Sequence, residues 1–289
     1  MVAAALAALA GASFGALTVA TRWGMRRSTN PELGALVAAT VGAGVTAIIA
    51  APSVAAYTTD SGALLPFLAA GLLAPGASQI LLTAAVKHAG PSRAAIYMGT
   101  APLMSVVIAL TLLGEPFDPV LIAGTILIVL GGITLAAERA RPGHFRARGA
   151  GLALACAALF ATRDNLLGWA AHGQHASPLV AASTSLLAAA AVILAYLLVL
   201  RRSRLRRDLW RAVPAFAPAG ITLAIGYDAL LAALDRGRVS VVSPLNATGS
   251  LWAVLLAALV IGRSELIGRR TILAALLIVA GGAFISAFR

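Results

Sequence analysis

The feature that most constrains the fold is a series of apolar runs, each about as long as a helix that spans a bilayer. Such a helix needs roughly 20 predominantly apolar residues. Only helices or closed barrels satisfy their backbone in lipid, and continuous runs of this length do not fit the short alternating strands of a barrel. The sequence therefore predicts an all-α integral membrane protein with ten transmembrane helices, at approximately 2–21, 33–52, 64–86, 92–113, 118–137, 150–171, 178–200, 212–234, 239–261 and 267–287.

The composition supports this prediction and excludes several classes of function. Hydrophobic residues make up 60% of the chain and charged residues only 11%, whereas soluble domains carry about 25% charged residues. A mean hydropathy of +0.93 leaves too little polar surface for a water-facing globule. Although the net charge is +12, we expect no nucleic-acid partner. We expect a multi-pass protein of the cell (inner or plasma) membrane, with the lipid bilayer around it.

The basic residues are divided unequally between the two sides of the predicted membrane region. The connections after the odd-numbered helices carry 18 of the 22 lysines and arginines, and the opposite side has only Arg236, Arg238 and Arg289. Because cytoplasmic loops are enriched in lysine and arginine, this distribution predicts that both termini lie outside the cytoplasm.

The chain also repeats itself internally. A shift of 150 residues places 128–132, Ile-Val-Leu-Gly-Gly, on 278–282, Ile-Val-Ala-Gly-Gly, and a shift of 148 places Ser92 on Ser240. The sequence therefore predicts two halves of five helices each, at 1–140 and 149–289. Since five is odd, equivalent helices would cross the membrane in opposite directions, which is the inverted repeat that many transporters use.

Several motifs of the first half recur in the second half between 233 and 282. In the first half they are Gly90-Pro91-Ser92-Arg93-Ala94-Ala95, Pro102, Leu113-Gly114-Glu115-Pro116, Gly124 and Leu130-Gly131-Gly132. Together they resemble the repeat of EamA-type transporters in the drug/metabolite transporter superfamily. The resemblance covers essentially the whole chain and implies a ten-helix transporter, usually an exporter of small metabolites or drugs. It also implies cytoplasmic termini, which is the opposite of what the arginine distribution predicts.

Ionisable side chains inside apolar helices are the first candidates for a functional site, because burying a charge in a membrane is costly. The deepest are Arg163, Asp164 and Asp228. The helical rise places Asn246 at about the same depth, with Tyr227 beside Asp228. Helices 6 and 8 run in the same direction, so Arg163 and Asp228 lie in the same half of the membrane and an ion pair between them is geometrically plausible. Arg163 and Asp164 point about 100° apart and do not share a face. The two alternatives are contact with substrate or protons and a purely structural ion pair.

The first half offers a weaker, uncharged counterpart to this cluster. Gln79 matches Tyr227 at a shift of 148, and Tyr97 matches Asn246 at a shift of 149. We interpret them as a second set of cavity-lining residues, with interhelical hydrogen bonding as the alternative. Trp252, near the middle of the ninth run, is a further candidate, for which lipid contact or core packing is the alternative. The predicted substrate-binding residues are therefore Arg163, Asp164, Tyr227, Asp228, Asn246, Gln79, Tyr97 and Trp252.

Other polar residues indicate structural roles. His172 and His175 have no third ligand near them, so we predict no metal site. Glu115 and Glu265 sit at helix ends beside short turns, where a carboxylate caps a helix or binds a neighbouring loop. Cys156, inside an apolar run, is expected to be a small buried residue.

Prolines within the runs are expected to kink helices and to free backbone carbonyls for a ligand; they are Pro75, Pro102, Pro218 and Pro244. The glycine pairs at 131–132 and 281–282 are expected to allow close helix packing.

The sequence favours a secondary transporter of a small metabolite or drug over an enzyme, and the resemblance implies that it is an exporter. It has no phosphate-binding loop of the Gly-x-x-x-x-Gly-Lys-Ser/Thr type, so we predict no cofactor and no direct use of ATP. Proton coupling stays open, with Asp164 and Asp228 as the deep carboxylates that it would need. The alternative is a membrane-embedded enzyme or flippase that handles lipid headgroups. Such an enzyme would place its polar cluster near one interface rather than near the midplane.

Overall fold

The computed structural model describes residues 2–27, 30–56, 61–89, 91–138, 147–173, 176–201, 205–261 and 269–287. Within these ranges the chain is helical and contains no strand. The helices are α1 Val2–Met25, α2 Pro31–Ala56, α3 Leu65–Gly71, α4 Ser78–Ala89, α5 Pro91–Met98, α6 Ala101–Leu112, α7 Pro119–Glu138, α8 Ala147–Gly173, α9 Pro178–Arg201, α10 Leu205–Arg236, α11 Val239–Asn246, α12 Gly249–Ile261 and α13 Arg269–Ala287.

The all-helical membrane fold predicted from the apolar runs is confirmed. Among the described residues, eight helical segments are long and apolar enough to cross a bilayer. The fifth and tenth runs form two shorter apolar helices, Pro119–Thr134 and Ile272–Ile285. Among the described residues, each of the ten predicted regions thus contains a helix, and eight of these regions meet the length and composition of a span.

Three of the predicted spanning helices are interrupted near their middle. The third run consists of α3, a wide helical turn over Leu72–Ala77 and α4, and Ala74 within the turn has extended backbone angles. The fourth run breaks between α5 and α6, and the ninth breaks between α11 and α12. Proline explains the first break, since it disfavours helical angles at the residue before it. At the other two breaks the backbone keeps short-range hydrogen bonds, such as those from the Gly99 N–H to the Ala95 carbonyl oxygen and from the Ala247 N–H to the Ser243 carbonyl oxygen.

The helices of the fifth and tenth runs, α7 and α13, pack against each other through reciprocal glycine contacts. A Cβ placed on Gly131 would lie 2.8 Å from the Ala274 carbonyl oxygen, and one placed on Gly281 would lie 2.5 Å from the Gly124 carbonyl oxygen. No side chain fits at such distances, so the glycines let the two backbones touch. The close packing expected for the glycine-rich helix ends therefore occurs at Gly131 and Gly281.

The long helices α1, α8 and α9 pack against the interrupted ones: α1 against α11 and α12, α8 against α4, α5 and α6, and α9 against α3. The main apolar core includes fully buried leucines of α8 and α10, such as Leu167, Leu230 and Leu234, together with the ring of Tyr227. A charged residue placed next to this core lies far from water. The polar side chains of the middle of α8 are in that position.

Candidate functional site

Three consecutive polar residues lie in the middle of α8, and all three are buried. Arg163, Asp164 and Asn165 are 3%, 6% and 4% exposed. Arg163 Nε lies 3.0 Å from Asp164 Oδ1, although the two groups lack the alignment of a hydrogen bond. The two opposite charges therefore compensate each other within one helix.

This pairing corrects the prediction that Arg163 pairs with Asp228. No ion pair joins Arg163 to Asp228, both of which the structure describes. The prediction rested on the similar depths of Arg163 and Asp228 in the membrane, and depth alone does not decide which side chains meet. The long, flexible arginine side chain bends back along the helix surface and reaches the adjacent carboxylate.

Aromatic rings surround the arginine. Its Cζ lies 5.1 Å from the centre of the Phe160 ring and 5.4 Å from the centre of the Tyr227 ring. At such distances the ring faces attract a cation. Tyr227, which is 2% exposed, therefore helps to hold the Arg163 charge in the core.

Tyr227 also connects the arginine to the interrupted helix of the first half. Its hydroxyl donates a hydrogen bond of 2.8 Å to the carbonyl oxygen of Ala74, the residue with extended angles before Pro75. Its ring meets Phe14 of α1 edge-on, with 6.1 Å between ring centres. At this break, therefore, a tyrosine from the other half binds the carbonyl before Pro75, and the expected binding of a ligand there stays a prediction.

The interrupted helix of the second half supplies another contact. Ser243 of α11 donates a hydrogen bond of 2.8 Å to Asp164 Oδ2. Ser240 and Asn246 lie one turn before and one turn after it, so the three polar side chains follow one side of α11. Ser240 Oγ and Asn246 Oδ1 are buried and have no hydrogen-bond partner. A polar stripe on α11 thus faces the polar centre of α8.

Asp228 of α10 stands apart from this pair. The Thr46 hydroxyl of α2 lies beside its carboxyl group, but neither Thr46 Oγ1 nor Asp228 Oδ1 meets the geometry of a hydrogen bond. Since Arg163 and Asp164 already compensate each other, the Asp228 carboxylate has no neutralising partner in the described residues. This carboxylate is therefore available for a proton or a cationic group.

Sequence reasoning missed Asn165, Thr46 and Ser243. The Asn165 amide nitrogen donates to the Ser105 carbonyl oxygen at 3.0 Å, to Ser105 Oγ at 3.1 Å and to the Ala161 carbonyl oxygen at 2.9 Å. Asn165 could have been identified from the sequence, because its amide lies in the middle of an apolar run directly after two charged residues. Thr46 and Ser243 could not, because serines and threonines are common in membrane helices.

The remaining predicted site residues lie elsewhere. Gln79 is half-buried on α4, and Tyr97 packs against the small cluster of Ala85, Ala94 and Ala153. Trp252 of α12 is 39% exposed. Between described residues, no hydrogen bond, ion pair or ring contact joins Gln79, Tyr97 or Trp252 to Arg163. Their role in binding stays a prediction.

Glu115 caps the end of a helix, which is one of the two roles that the sequence predicted for it. Its carboxylate accepts hydrogen bonds from the Val239 N–H at 2.8 Å and from the Ser240 N–H at 3.1 Å. It therefore caps the first turn of α11 across 124 residues of sequence. The corresponding prediction for Glu265 lies outside the described residues.

The histidines and the cysteine have local contacts. His172 Nδ1 lies 2.8 Å from the Gly168 carbonyl oxygen, whereas His175 lies outside the described residues. Within the part of the chain that the structure describes, no three histidine, cysteine or acidic side chains gather as metal ligands would. Cys156 is buried, and its Sγ donates to the Ser78 carbonyl oxygen at 3.2 Å.

Comparison with known proteins agrees with this architecture. A crystal structure superposes on the chain with a TM-score of 0.81 at 21% sequence identity, covering 99% of this chain and 96% of that one. At this identity the likeness shows the fold alone. No curated protein matches the chain. The EamA-like transporter family matches residues 1–136 and 147–287, one copy in each half. Members of that family are transporters rather than enzymes, and this chain, a multi-pass membrane protein, belongs to the EamA-like transporter family.

Proposed function

We propose that the chain is a secondary transporter that exports a small polar or amphipathic solute by alternating access. The proposed binding centre lies between α8, α10 and α11, and Gln79, Tyr97 and Trp252 line the path from the first half. The residues proposed to contact the solute or a proton are Arg163, Asp164, Tyr227, Asp228 and Asn246.

The observation that carries this proposal is a set of buried polar atoms on α8, α10 and α11 that have no hydrogen-bond partner among the described residues. Arg163 Nη1 is an unsatisfied donor, and Asn246 Oδ1 and Asp228 Oδ1 are unsatisfied acceptors. Arg163 Nε and Asp164 Oδ1 form an ion pair but make no hydrogen bond. A buried polar group without a partner costs about 1–3 kcal/mol. A solute that carries both acceptors and donors would satisfy this centre, and so would water when the site is empty.

Alternating access is supported by contacts that repeat between the two halves. Gly131 of α7 touches Ala274 of α13, and Gly281 of α13 touches Gly124 of α7. Gly131 and Gly281 are 150 residues apart, and so are Gly124 and Ala274. We infer that the halves, 1–140 and 149–289, are inverted repeats, since each contains five of the predicted helices. In such repeats a solute site lies at the interface, and one half rocks against the other.

The helix breaks repeat in the same way. The Thr100 hydroxyl donates to the Tyr97 carbonyl oxygen at 2.7 Å, and the Thr248 hydroxyl donates to the Leu245 carbonyl oxygen at 2.7 Å. These bonds are related by a shift of 148 residues, which aligns Tyr97 with Leu245 rather than with Asn246. Interrupted helices near the midplane are where transporters of this kind bind their solutes.

The test is an uptake screen of small metabolites in proteoliposomes, with and without an imposed pH gradient. Asp228→Asn keeps the size of the side chain but removes its charge, so it should abolish gradient-driven uptake and leave protein yield near normal. Solute exchange without a gradient survives if Asp228 only carries a proton, and is lost if Asp228 binds a cationic solute.

The matched control is Asp208→Asn, which makes the same chemical change at the start of the same helix, α10. It should transport at the wild-type rate. If both Asp164→Asn and Asp228→Asn also transport at the wild-type rate under every gradient, the acidic residues are structural and the proposed site is wrong.

The orientation is tested separately. The arginine distribution predicts that both termini lie outside the cytoplasm. Of two reporters fused after Arg289, only the one that is active outside the cytoplasm should then give a signal. The measurement is a pair of fusions, one reporter active outside and the other active in the cytoplasm. A signal from the cytoplasmic reporter alone would restore the orientation that the family resemblance implies.

A further inference from the structure

A cavity opens at the end of the protein where α8, α10 and α13 finish and α7 and α11 begin. We call it the vestibule; its volume is about 500 Å³, within the range of small-molecule pockets. Four polar side chains line it, Asp118, His172, Arg236 and Arg238, together with apolar residues that include Leu121 and Val241. It is separate from the polar centre around Arg163, whose residues do not line it.

The carboxylates at this end are already engaged. Asp118 Oδ1 accepts from the Val120 N–H at 2.9 Å and caps α7. Both oxygens of Glu115 accept from the first turn of α11. Asp235 Oδ2 lies 3.2 Å from Arg236 Nη1, which also donates to the Ala232 carbonyl oxygen at 2.9 Å. Each of these acids therefore stabilises a helix end or an ion pair.

Arg238 differs from these carboxylates in the contacts of its side chain. Its guanidinium has no hydrogen bond or ion pair to any described residue, while its backbone only starts α11. A guanidinium presents five N–H donors in a fork that matches a carboxylate or a similar planar anion. Beside it, Leu121 and Val241 are 6% and 3% exposed and form an apolar wall. Donors at one side and an apolar wall at the other suit an anion with an apolar body.

The vestibule also shares a wall with the polar centre. Val241 faces the vestibule, and Ser243, two residues later in α11, binds Asp164. Two residues advance a helix by about 3 Å and turn it by about 200°, so opposite sides of α11 face the two places. A molecule in the vestibule would lie one helix away from the Arg163 centre.

We propose that the vestibule is a second ligand site, which binds small organic anions with an apolar body through the Arg238 guanidinium. This site does not depend on transport. It does suggest a place where a solute pauses between the aqueous phase at this end and the polar centre.

The test uses the full chain in lipid nanodiscs and two probes with the same ring system. The probes are 2-naphthoate, an anion, and 2-naphthylmethylamine, a cation at neutral pH. Equilibrium dialysis measures the binding of each, and empty nanodiscs of the same lipid give the background from partition into the bilayer. We expect 2-naphthoate to bind above that background and at least tenfold more tightly than the amine.

Two variants test the two walls of the vestibule. Arg238→Gln removes the charged donors and should weaken 2-naphthoate binding about tenfold without changing binding of the amine. The matched control is Arg270→Gln, which alters an exposed arginine at the start of α13, at the opposite end, and should change neither affinity. Val241→Trp narrows the cavity and should weaken both probes, which gives an independent test if Arg238→Gln does not fold.

Three results would overturn the proposal: binding of 2-naphthoate no greater than to empty nanodiscs, equal affinities for the two probes, or an unchanged affinity in folded Arg238→Gln. Asp228→Asn separates this site from the proposed transport function. Because Asp228 does not line the vestibule, the variant should bind 2-naphthoate normally even where gradient-driven uptake is lost.

Discussion

Two stretches of three residues, each in the middle of a helix, show how differently the halves of this protein are built. A shift of 150 residues places Ser13, Phe14 and Gly15 of α1 on Arg163, Asp164 and Asn165 of α8. Ser13 bonds only to the Leu9 carbonyl oxygen of its own helix, and Phe14 packs edge-on against Tyr227. The corresponding residues of α8 are an ion pair that reaches α11 through Ser243.

The third residue of each stretch lies at a helix crossing. Gly15 touches α12 so closely that a Cβ on it would lie 2.7 Å from the Ala253 nitrogen. Asn165 instead bonds to Ser105 of α6, and Ser105 aligns with Ala253 at a shift of 148. Under that alignment the two crossings are equivalent. Close backbone packing joins α1 to α12, whereas hydrogen bonds join α8 to α6. We infer that the α1 crossing serves as an apolar scaffold, whereas the α8 crossing carries the polar chemistry.

The largest effect is expected at Arg163. Arg163→Ala leaves the buried Asp164 carboxylate with only the Ser243 hydroxyl, and breaking a buried pair in this way costs about 3–5 kcal/mol. The measurement is the free energy of unfolding of the purified protein in detergent. The double variant Arg163→Ala/Asp164→Ala should recover much of the loss, because no unpaired charge is left.

The control for this prediction comes from the apolar stretch. Ser13→Ala removes only a bond within α1 and should cost well under 1 kcal/mol. If the losses from Arg163→Ala and Asp164→Ala simply add in the double variant, the two residues do not stabilise each other, and the contrast between the stretches disappears.

The next effect is expected at Gly15. Gly15→Val would place side-chain atoms against the backbone of α12, at Gly249 and Ala253, which cannot move aside easily. Overpacking of this kind costs about 1–3 kcal/mol, and we expect the upper end. Thermal unfolding in detergent gives the size of the loss. Gly44→Val on α2, where a Cβ meets nothing within 4 Å, should change the unfolding temperature little. Equal losses in the two variants would mean that the α1 crossing is not tightly packed.

The smallest effect is expected at the polar crossing. Asn165→Leu removes the bonds to Ser105 and Ala161, and hydrogen bonds between membrane helices are worth about 0.6 kcal/mol on average and at most about 1.7. We expect a loss of about 1–2 kcal/mol in unfolding free energy.

Ser105→Ala sharpens this expectation. It removes one hydroxyl and leaves the Ser105 carbonyl oxygen to accept from Asn165, so about 0.6 kcal/mol or less should be lost. If Ser105→Ala destabilises the protein as much as Asn165→Leu does, the hydroxyl rather than the amide holds α6 to α8.

The sequence alone determined the class of fold and the main polar residues. Apolar runs of about 20 residues leave the backbone no alternative to helices in lipid, and the repeated motifs indicate the family that the comparison confirms. Arg163, Asp164 and Asp228 could be found because a charge within an apolar run is conspicuous, whatever its surroundings. The same reasoning, extended from charged to polar residues, would have identified Asn165, which directly follows Asp164.

Only the tertiary structure decided which of these residues meet. Arg163 reaches its neighbour Asp164 because its side chain is long and flexible, a choice that helical periodicity does not describe. Asn165 bonds to a serine 60 residues away, and Tyr227 bonds to a carbonyl oxygen 153 residues away that is available only because the chain is extended at Ala74. Such contacts depend on how helices from the two halves pack together, and local sequence patterns carry no information about distances between helices.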